Sequence, residues 1–124
     1  MSVLGIGVDV VHVPRIAVLL KRYPRRLPSR ILSPQESVQW HLPPDPTFIA
    51  VRWAVKEAAY KALYPRHKPS WKELTYHGLT NEHKPVLLYR PVKCRATPMD
   101  IHVSVSHDGE YVFASVLVQS AREL

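Results

Sequence analysis

Three ionisable residues stand where apolar neighbours dominate: Asp9 in VLGIGVDVV, and Glu57 and Lys61 in FIAVRWAVKEAAYKAL. Burying a carboxylate without a partner costs several kcal/mol, so Asp9 must be ion-paired, hydrogen-bonded or bound to a cation. Capping the next helix is the purely structural role open to it. Glu57 and Lys61 lie four apart, the spacing of a helical ion pair worth about 0.2–0.5 kcal/mol, and taken alone that pair is the simplest account of both.

The elements that must position these groups can be read in outline. Residues 4–11 predict a buried first strand, with Leu4, Ile6, Val8 and Val10 on one side and Gly5, Gly7, Asp9 and Val11 on the other. Two glycines leading to the carboxylate leave room for a bulky ligand or for another backbone. The central helix has marked ends: Asp45 as N-cap, Pro46 at the first position, and Pro65 closing it after Tyr64. Within it Val51, Ala54, Val55, Ala58 and Ala62 share a face, Glu57 and Lys61 sit at its edge, and Arg52 and Lys56 form a second charged sector.

Pro14 opens a helix to about Tyr23, with Ile16, Leu19 and Leu20 inward and Arg15 and Arg22 outward. The prolines at 24 and 28 end it. Ser33 and Glu36 form a capping box with Pro34 at the first helical position, predicting a short helix. HLPPDP then connects to the central helix. Residues 71–80 and 85–89 predict two strands around a turn at Asn81, Glu82 and His83, and residues 90–98 a loop or degraded helix. Alternation over 101–106 and a β-rich run over 111–118, joined at Asp108-Gly109, predict a hairpin.

The chain has 124 residues, 46% hydrophobic and 22% charged, which fits one globular domain spanning 1–124. No apolar run reaches the roughly 20 residues of a membrane span, and the start lacks a signal-peptide pattern, so the expectation is a soluble intracellular protein. The lone Cys94 excludes an internal disulfide and a zinc cluster. Of the +7 net charge, the excess lies in residues 10–35, which hold Arg15, Lys21, Arg22, Arg25, Arg26 and Arg30 and no acid. The other eleven basic residues are balanced by ten acidic ones. That segment is a candidate docking surface for an acidic partner.

GIGVDVVHVPRI, RWAVKEAAYKAL and HVSVSHDGEYVFASVLV, in that order, resemble the holo-acyl-carrier-protein synthase group of 4'-phosphopantetheinyl transferases. ILSPQE and Lys84-Pro85 are secondary landmarks of the same group. The resemblance implies an α+β single domain, with a small antiparallel sheet wrapped around a long central helix, commonly assembled as a homotrimer with active sites between subunits. It implies transfer of the phosphopantetheine arm of coenzyme A to a serine of an apo acyl carrier protein, in fatty acid biosynthesis, with release of adenosine 3',5'-bisphosphate.

By the same resemblance Asp9 and Glu57 hold Mg²⁺, and Lys61 reaches the phosphates and shares with those two carboxylates the catalytic role. Lys84, Pro85, Ser106 and His107 contribute to the coenzyme A pocket, and Arg15, Arg22, Arg26 and Arg52 meet the carrier protein. Neither nucleic acid nor membrane is expected as a partner, and the compartment is cytoplasm or mitochondrial matrix. Two departures stand out: His12 occupies a position that is acidic in many members, and His83 replaces the glycine of a Gly-Lys-Pro landmark. The rival readings are a basic nucleic-acid-binding module using Arg15 to Arg30 with Trp40 and Tyr23 as stacking groups, and a coenzyme A-binding relative that has lost transfer.

Overall fold

The structure, a computed structural model, describes residues 2–40, 45–78, 80–93 and 98–121. Cys94, most of HLPPDP and the middle of the 90–98 stretch lie outside them. Ten elements follow in order: β1 (Val3–His12), α1 (Val13–Arg22), α2 (Arg26–Ile31), α3 (Pro34–Val38), α4 (Pro46–Leu63), a 3₁₀ turn (Trp71–Glu73), β2 (Leu74–His77), β3 (Val86–Tyr89), β4 (Met99–Asp108) and β5 (Tyr111–Ser120). The β strands form an antiparallel three-stranded sheet of order β1-β5-β4 and a separate two-stranded sheet, β2-β3. The expected α+β fold, a small sheet wrapped on a long helix, is what forms.

Helix α4 begins as the sequence indicates, with Asp45 Oδ1 accepting from the Thr47 amide. It is not simply amphipathic. Ile49, Ala50, Val51, Ala54, Val55, Ala58, Ala59, Ala62 and Leu63 are buried around most of its circumference, and Arg52 and Lys56 are buried with them. The exposed or half-exposed strip that remains carries Trp53, Glu57, Tyr60 and Lys61.

The first strand, expected to be buried, is covered on one side only. Its glycine side, not its apolar side, faces the core. A Cβ built on Gly5 would lie 1.8 Å from the Ala62 carbonyl oxygen, and one on Gly7 would lie 1.9 Å from that of Ala58. Of the two uses open to the glycines, close approach of another backbone is the one realised: α4 rests directly on β1. Consequently Ile6, Val8 and Val10 point outward, 64%, 55% and 48% exposed, beside Tyr111 and Phe113 of β5. Gly7→Ala should cost about 1–3 kcal/mol or more, because backbone cannot yield as a side chain does. Urea unfolding of that variant measures it.

Smaller differences have local reasons. Pro28 does not exclude a helix, because it sits third in α2, where a backbone N–H has no intrahelical partner anyway. The stretch opening at Trp71 is a 3₁₀ turn before β2 starts at Leu74. Strand β4 runs on to Asp108, so the hairpin turn is Gly109-Glu110, with Gly109 at φ 56°. No non-glycine residue among those described has positive φ, so His83 meets no backbone penalty where the landmark has glycine. The Thr80 hydroxyl accepts from the His83 amide and holds that turn.

The capping box at Ser33 does more than start α3. Glu36 accepts from the Ser33 amide at 2.9 Å and from the Tyr76 amide at 3.0 Å, and is fully buried. Lys56 donates to Glu36 at 2.5 Å, to the Ile31 carbonyl at 2.6 Å and to the Trp71 carbonyl at 2.9 Å, using all three ammonium protons. This one lysine therefore ties α4 to α2, α3 and the 3₁₀ turn. Burial pulls its pKa down and Glu36 opposes that fall.

Candidate active site

Asp9 lies on the helix-facing side of β1, level with Ala114 of β5 and Val105 of β4. It does not cap α1, whose N-cap is His12 without a side-chain bond. Glu57, on the exposed strip of α4, faces it closely enough for the two charges to act on each other. Lys61 Nζ is 3.5 Å from Asp9 Oδ1 and donates to the Val8 carbonyl at 2.9 Å. Among the described residues Glu57 has no ion-pair partner within 4 Å, so the simple Glu57–Lys61 pair is not formed: the lysine has turned to β1. Packing of strand on helix thus brings Asp9, Glu57 and Lys61 together, half-exposed, at one edge of the sheet. Arg15 joins them, its charge reaching both carboxylates and its guanidinium 5.2 Å from the Trp53 ring centre.

Both carboxyls are held above their ordinary range. For Asp9 the cause is burial, only partly offset by Lys61 and Arg15. For Glu57 it is burial and then the Asp9 charge, again partly offset by those cations. Burial and the closeness of the two carboxyls thus outweigh the nearby cations, and such a pair suits Mg²⁺, which takes one or two protein carboxylates and completes its shell with water and phosphate. Among the described residues no third His, Cys, Asp or Glu joins them. His12 is directed to the other side of the sheet, where its Nε2 pairs with Glu110 at 3.0 Å.

The raised values have a stability consequence. A folded state that holds these protons more tightly than the unfolded chain loses stability as pH rises from the ordinary carboxylate range through the raised folded values. In a chelator, thermal midpoints should therefore fall across that window. Mg²⁺ should restore them at neutral pH and have no effect below the ordinary carboxylate range, where protons occupy the carboxyls. A calorimetric pH series with and without Mg²⁺ reads both effects.

A second region lies on the opposite flank of α4. A cavity of about 920 Å³ is lined by Arg52, Tyr76, Lys84, Pro85 and His107, with Ile101, Val103 and Val105 of β4. Lys84, Pro85 and His107 are thus placed together. Ser106, paired with Phe113 of β5, is exposed and does not line the cavity, although His102 and Ser104 of the same strand side do. Arg52 is also displaced from its expected role. It is 8% exposed, donates to the Phe48 carbonyl at 3.4 Å, lies 3.7 Å over the Phe48 ring, and leaves its Nε without a hydrogen bond, 3.8 Å from Glu36. It belongs to the cavity wall rather than to an exposed carrier surface. No sequence signal marks it, because the walls of a nearly all-buried helix are set by packing.

On the carboxylate flank, beside Arg15, a third depression of about 340 Å³ is lined by Leu19, Tyr23, Arg26, Leu27, Arg30 and Trp53. Arg15 and Arg22 are exposed on α1, with Val18 between them 68% exposed. Trp40 is tilted against Phe48 at 5.5 Å.

A glycine-faced strand thus rests on a long helix of an α+β scaffold, and two carboxylates and a lysine meet beside it. Residues 5–116 match the family model described as the 4'-phosphopantetheinyl transferase superfamily. The chain is 37% identical over 124 residues to a holo-[acyl-carrier-protein] synthase of Geobacillus kaustophilus, covering 94% of this chain and 89% of that one. It is 36% identical over 126 residues to one of Klebsiella pneumoniae, covering 97% and 100%. Its fold is similar, with TM-score 0.76 and 26% identity over 96% of this chain and 98% of the other, to the crystal structure of a holo-(acyl-carrier-protein) synthase from Bacillus anthracis in complex with CoA (3',5'-ADP). The chain belongs to the 4'-phosphopantetheinyl transferase superfamily, in its holo-acyl-carrier-protein synthase branch.

Proposed function

We propose that this enzyme transfers the 4'-phosphopantetheine arm of coenzyme A to a serine of an apo acyl carrier protein. The observation that carries the reading is the meeting of Asp9, Glu57 and Lys61 on the exposed strip of an otherwise buried helix, with both carboxyls raised. Asp9 and Glu57 would hold Mg²⁺, which when bound offsets the charge of the diphosphate. Lys61, one turn beyond Glu57, exchanges its contact with Asp9 for a substrate phosphate and acts as a point charge. The carrier serine oxygen attacks the phosphorus bearing pantetheine, and the bond to the bridging oxygen breaks. Adenosine 3',5'-bisphosphate leaves with the bonding electrons. Glu57, its carboxyl held above the ordinary range by burial and by Asp9, accepts the serine proton.

The exposed α1–α2 surface, with Arg15, Arg22 and Arg26 around the depression at Trp53, fits an acidic carrier protein. Arg15 has a divided position, because it also faces Asp9 and Glu57, so Arg22→Glu is the cleaner probe. It should weaken carrier binding about tenfold, more at low salt, and leave coenzyme A binding unchanged in titration calorimetry. Equal weakening of both ligands contradicts the assignment.

Lys84, Pro85, His107 and now Arg52 fit the nucleotide part of coenzyme A, yet they lie across α4 from Asp9 and Glu57. Within one chain the two flanks are separated by the body of the helix, about 140° around its axis between Glu57 and Arg52. A site using both therefore takes one flank from each of two chains. The outward Ile6, Val8, Val10, Tyr111 and Phe113 form an apolar sheet face of the kind that subunits cover, in keeping with a homotrimer. The bacterial relatives favour the cytoplasm over the mitochondrial matrix, and among the described residues no helix is long and apolar enough to cross a membrane.

Incubation with coenzyme A, Mg²⁺ and an apo carrier protein tests the reading. A mass gain of one phosphopantetheine arm on the carrier is expected. Coenzyme A binding with no gain on any of several carriers would identify a relative that has lost transfer.

A further inference from the structure

We propose that Arg15 couples the carboxylate corner to the carrier surface: its guanidinium rests between the two, shields Asp9 and Glu57 in the metal-free protein, and turns to an acidic partner once they hold a divalent cation. The inference rests on the transferase reading above and deepens it, because loading of the metal and docking of the carrier become one linked event.

Arg15 is third in α1, in the first turn, where a helix N-terminus disfavours a cation. Its own segment offers it no acid, since residues 10–35 hold none. The acids it meets come from two other elements. Asp9 belongs to β1, which runs directly into α1, and Glu57 belongs to α4, on which α1 packs. Among the described residues Arg15 is nonetheless ion-paired to neither. Its guanidinium stands instead 5.2 Å from the centre of the Trp53 ring. Trp53 lies one turn before Glu57 on the exposed strip of α4, and it also walls the depression that Arg26 and Arg30 line. The ring, and the cation on it, therefore stand between the acids and the docking surface. A ring contact keeps a guanidinium near without the fixed directions of a forked carboxylate pair, so Arg15 can exchange partners.

The consequence is a linkage. In the metal-free protein the Arg15 charge eases the crowding of the two carboxylates, beside that of Lys61. Asp9 and Glu57 holding a divalent cation would repel the guanidinium and release it to the partner's carboxylates. An acidic partner that draws Arg15 away in turn leaves the corner more attractive to metal. Each ligand tightens the other by the same factor. Lys61 does not share in this exchange, because its ammonium is held within the corner by the Val8 carbonyl at 2.9 Å.

Titration calorimetry without coenzyme A tests the linkage, using Mg²⁺ alone, an acidic apo carrier protein alone, and each in the presence of the other. In the wild type, saturating carrier should tighten Mg²⁺ about 5- to 10-fold, and Mg²⁺ should tighten the carrier equally. Arg15→Met should bind Mg²⁺ alone about threefold more tightly than wild type, with the effect of the carrier reduced to within about twofold. Lys21→Met makes the same change of charge about 120° around α1 and should keep the wild-type coupling. If Arg15→Met leaves the affinity for Mg²⁺ alone unchanged, or retains the full coupling, Arg15 serves the carrier only and the proposal falls. Wild-type protein that binds both ligands without coupling overturns this inference and leaves the transferase reading standing. Wild-type protein that binds neither ends both.

Discussion

Asp9→Asn and Glu57→Gln are each expected to lower phosphopantetheine transfer by about 10²–10⁴-fold while raising the thermal midpoint by a few degrees in a chelator. The two effects share one cause. Both carboxyls are raised because burial and mutual repulsion disfavour their charges, so a neutral isostere relieves the folded state at neutral pH. The same negative charge would hold a divalent cation, which would offset the charge of the diphosphate. Its loss removes several kcal/mol of transition-state stabilisation, each 1.36 kcal/mol being tenfold in rate. The stability gain should vanish below the ordinary carboxylate range, where wild type and variant are both neutral. Transfer assays beside calorimetry decide the matter: a variant that loses activity and also stability assigns the residue to the scaffold. Lys61→Met is the companion test. Its side chain is 53% exposed, so it should leave stability nearly unchanged while transfer falls.

Lys56→Met is expected to cost about 3–5 kcal/mol in urea unfolding, a large share of the stability of a domain this size. The methionine fills the volume but leaves Glu36 as a buried carboxylate with two amide donors and only Arg52, 3.8 Å away, as a cation, and leaves the Ile31 and Trp71 carbonyls without the ammonium. Adding Glu36→Gln should recover part of the loss, because the uncompensated charge is gone. Strict additivity of the two single losses would show that the pair does not act as a unit. The contrast between the two lysines of KEAAYK is instructive. Lys56 and Lys61 are five apart, about 140° around the helix, so one enters the core and the other the exposed strip beside Asp9.

That contrast also shows where sequence reading reached its end. The central helix, its Asp45 cap, the Ser33–Glu36 box and the β4–β5 hairpin were all legible, because caps, prolines and alternation are local signals acting over a few residues. The pairing of Asp9 with Glu57 was legible only through the resemblance of ordered motifs. Which side of the first strand meets the core was not legible. Alternation defines two sides but not which one meets the helix, and the glycine side won because only glycine lets the Ala58 and Ala62 backbone come so close.

By itself the sequence determined the family, the ends of the helix and the set of candidate acids and cations. Only the tertiary structure decided which charges are buried and which are free. Arg52 and Lys56 entered the core, Lys61 turned from Glu57 to Asp9, and the apolar side of β1 was left open to solvent or to a second chain. These are long-range outcomes. They depend on which surface of a strand and which side of a helix face one another, and packing of the whole chain sets that, not the residues adjacent in sequence.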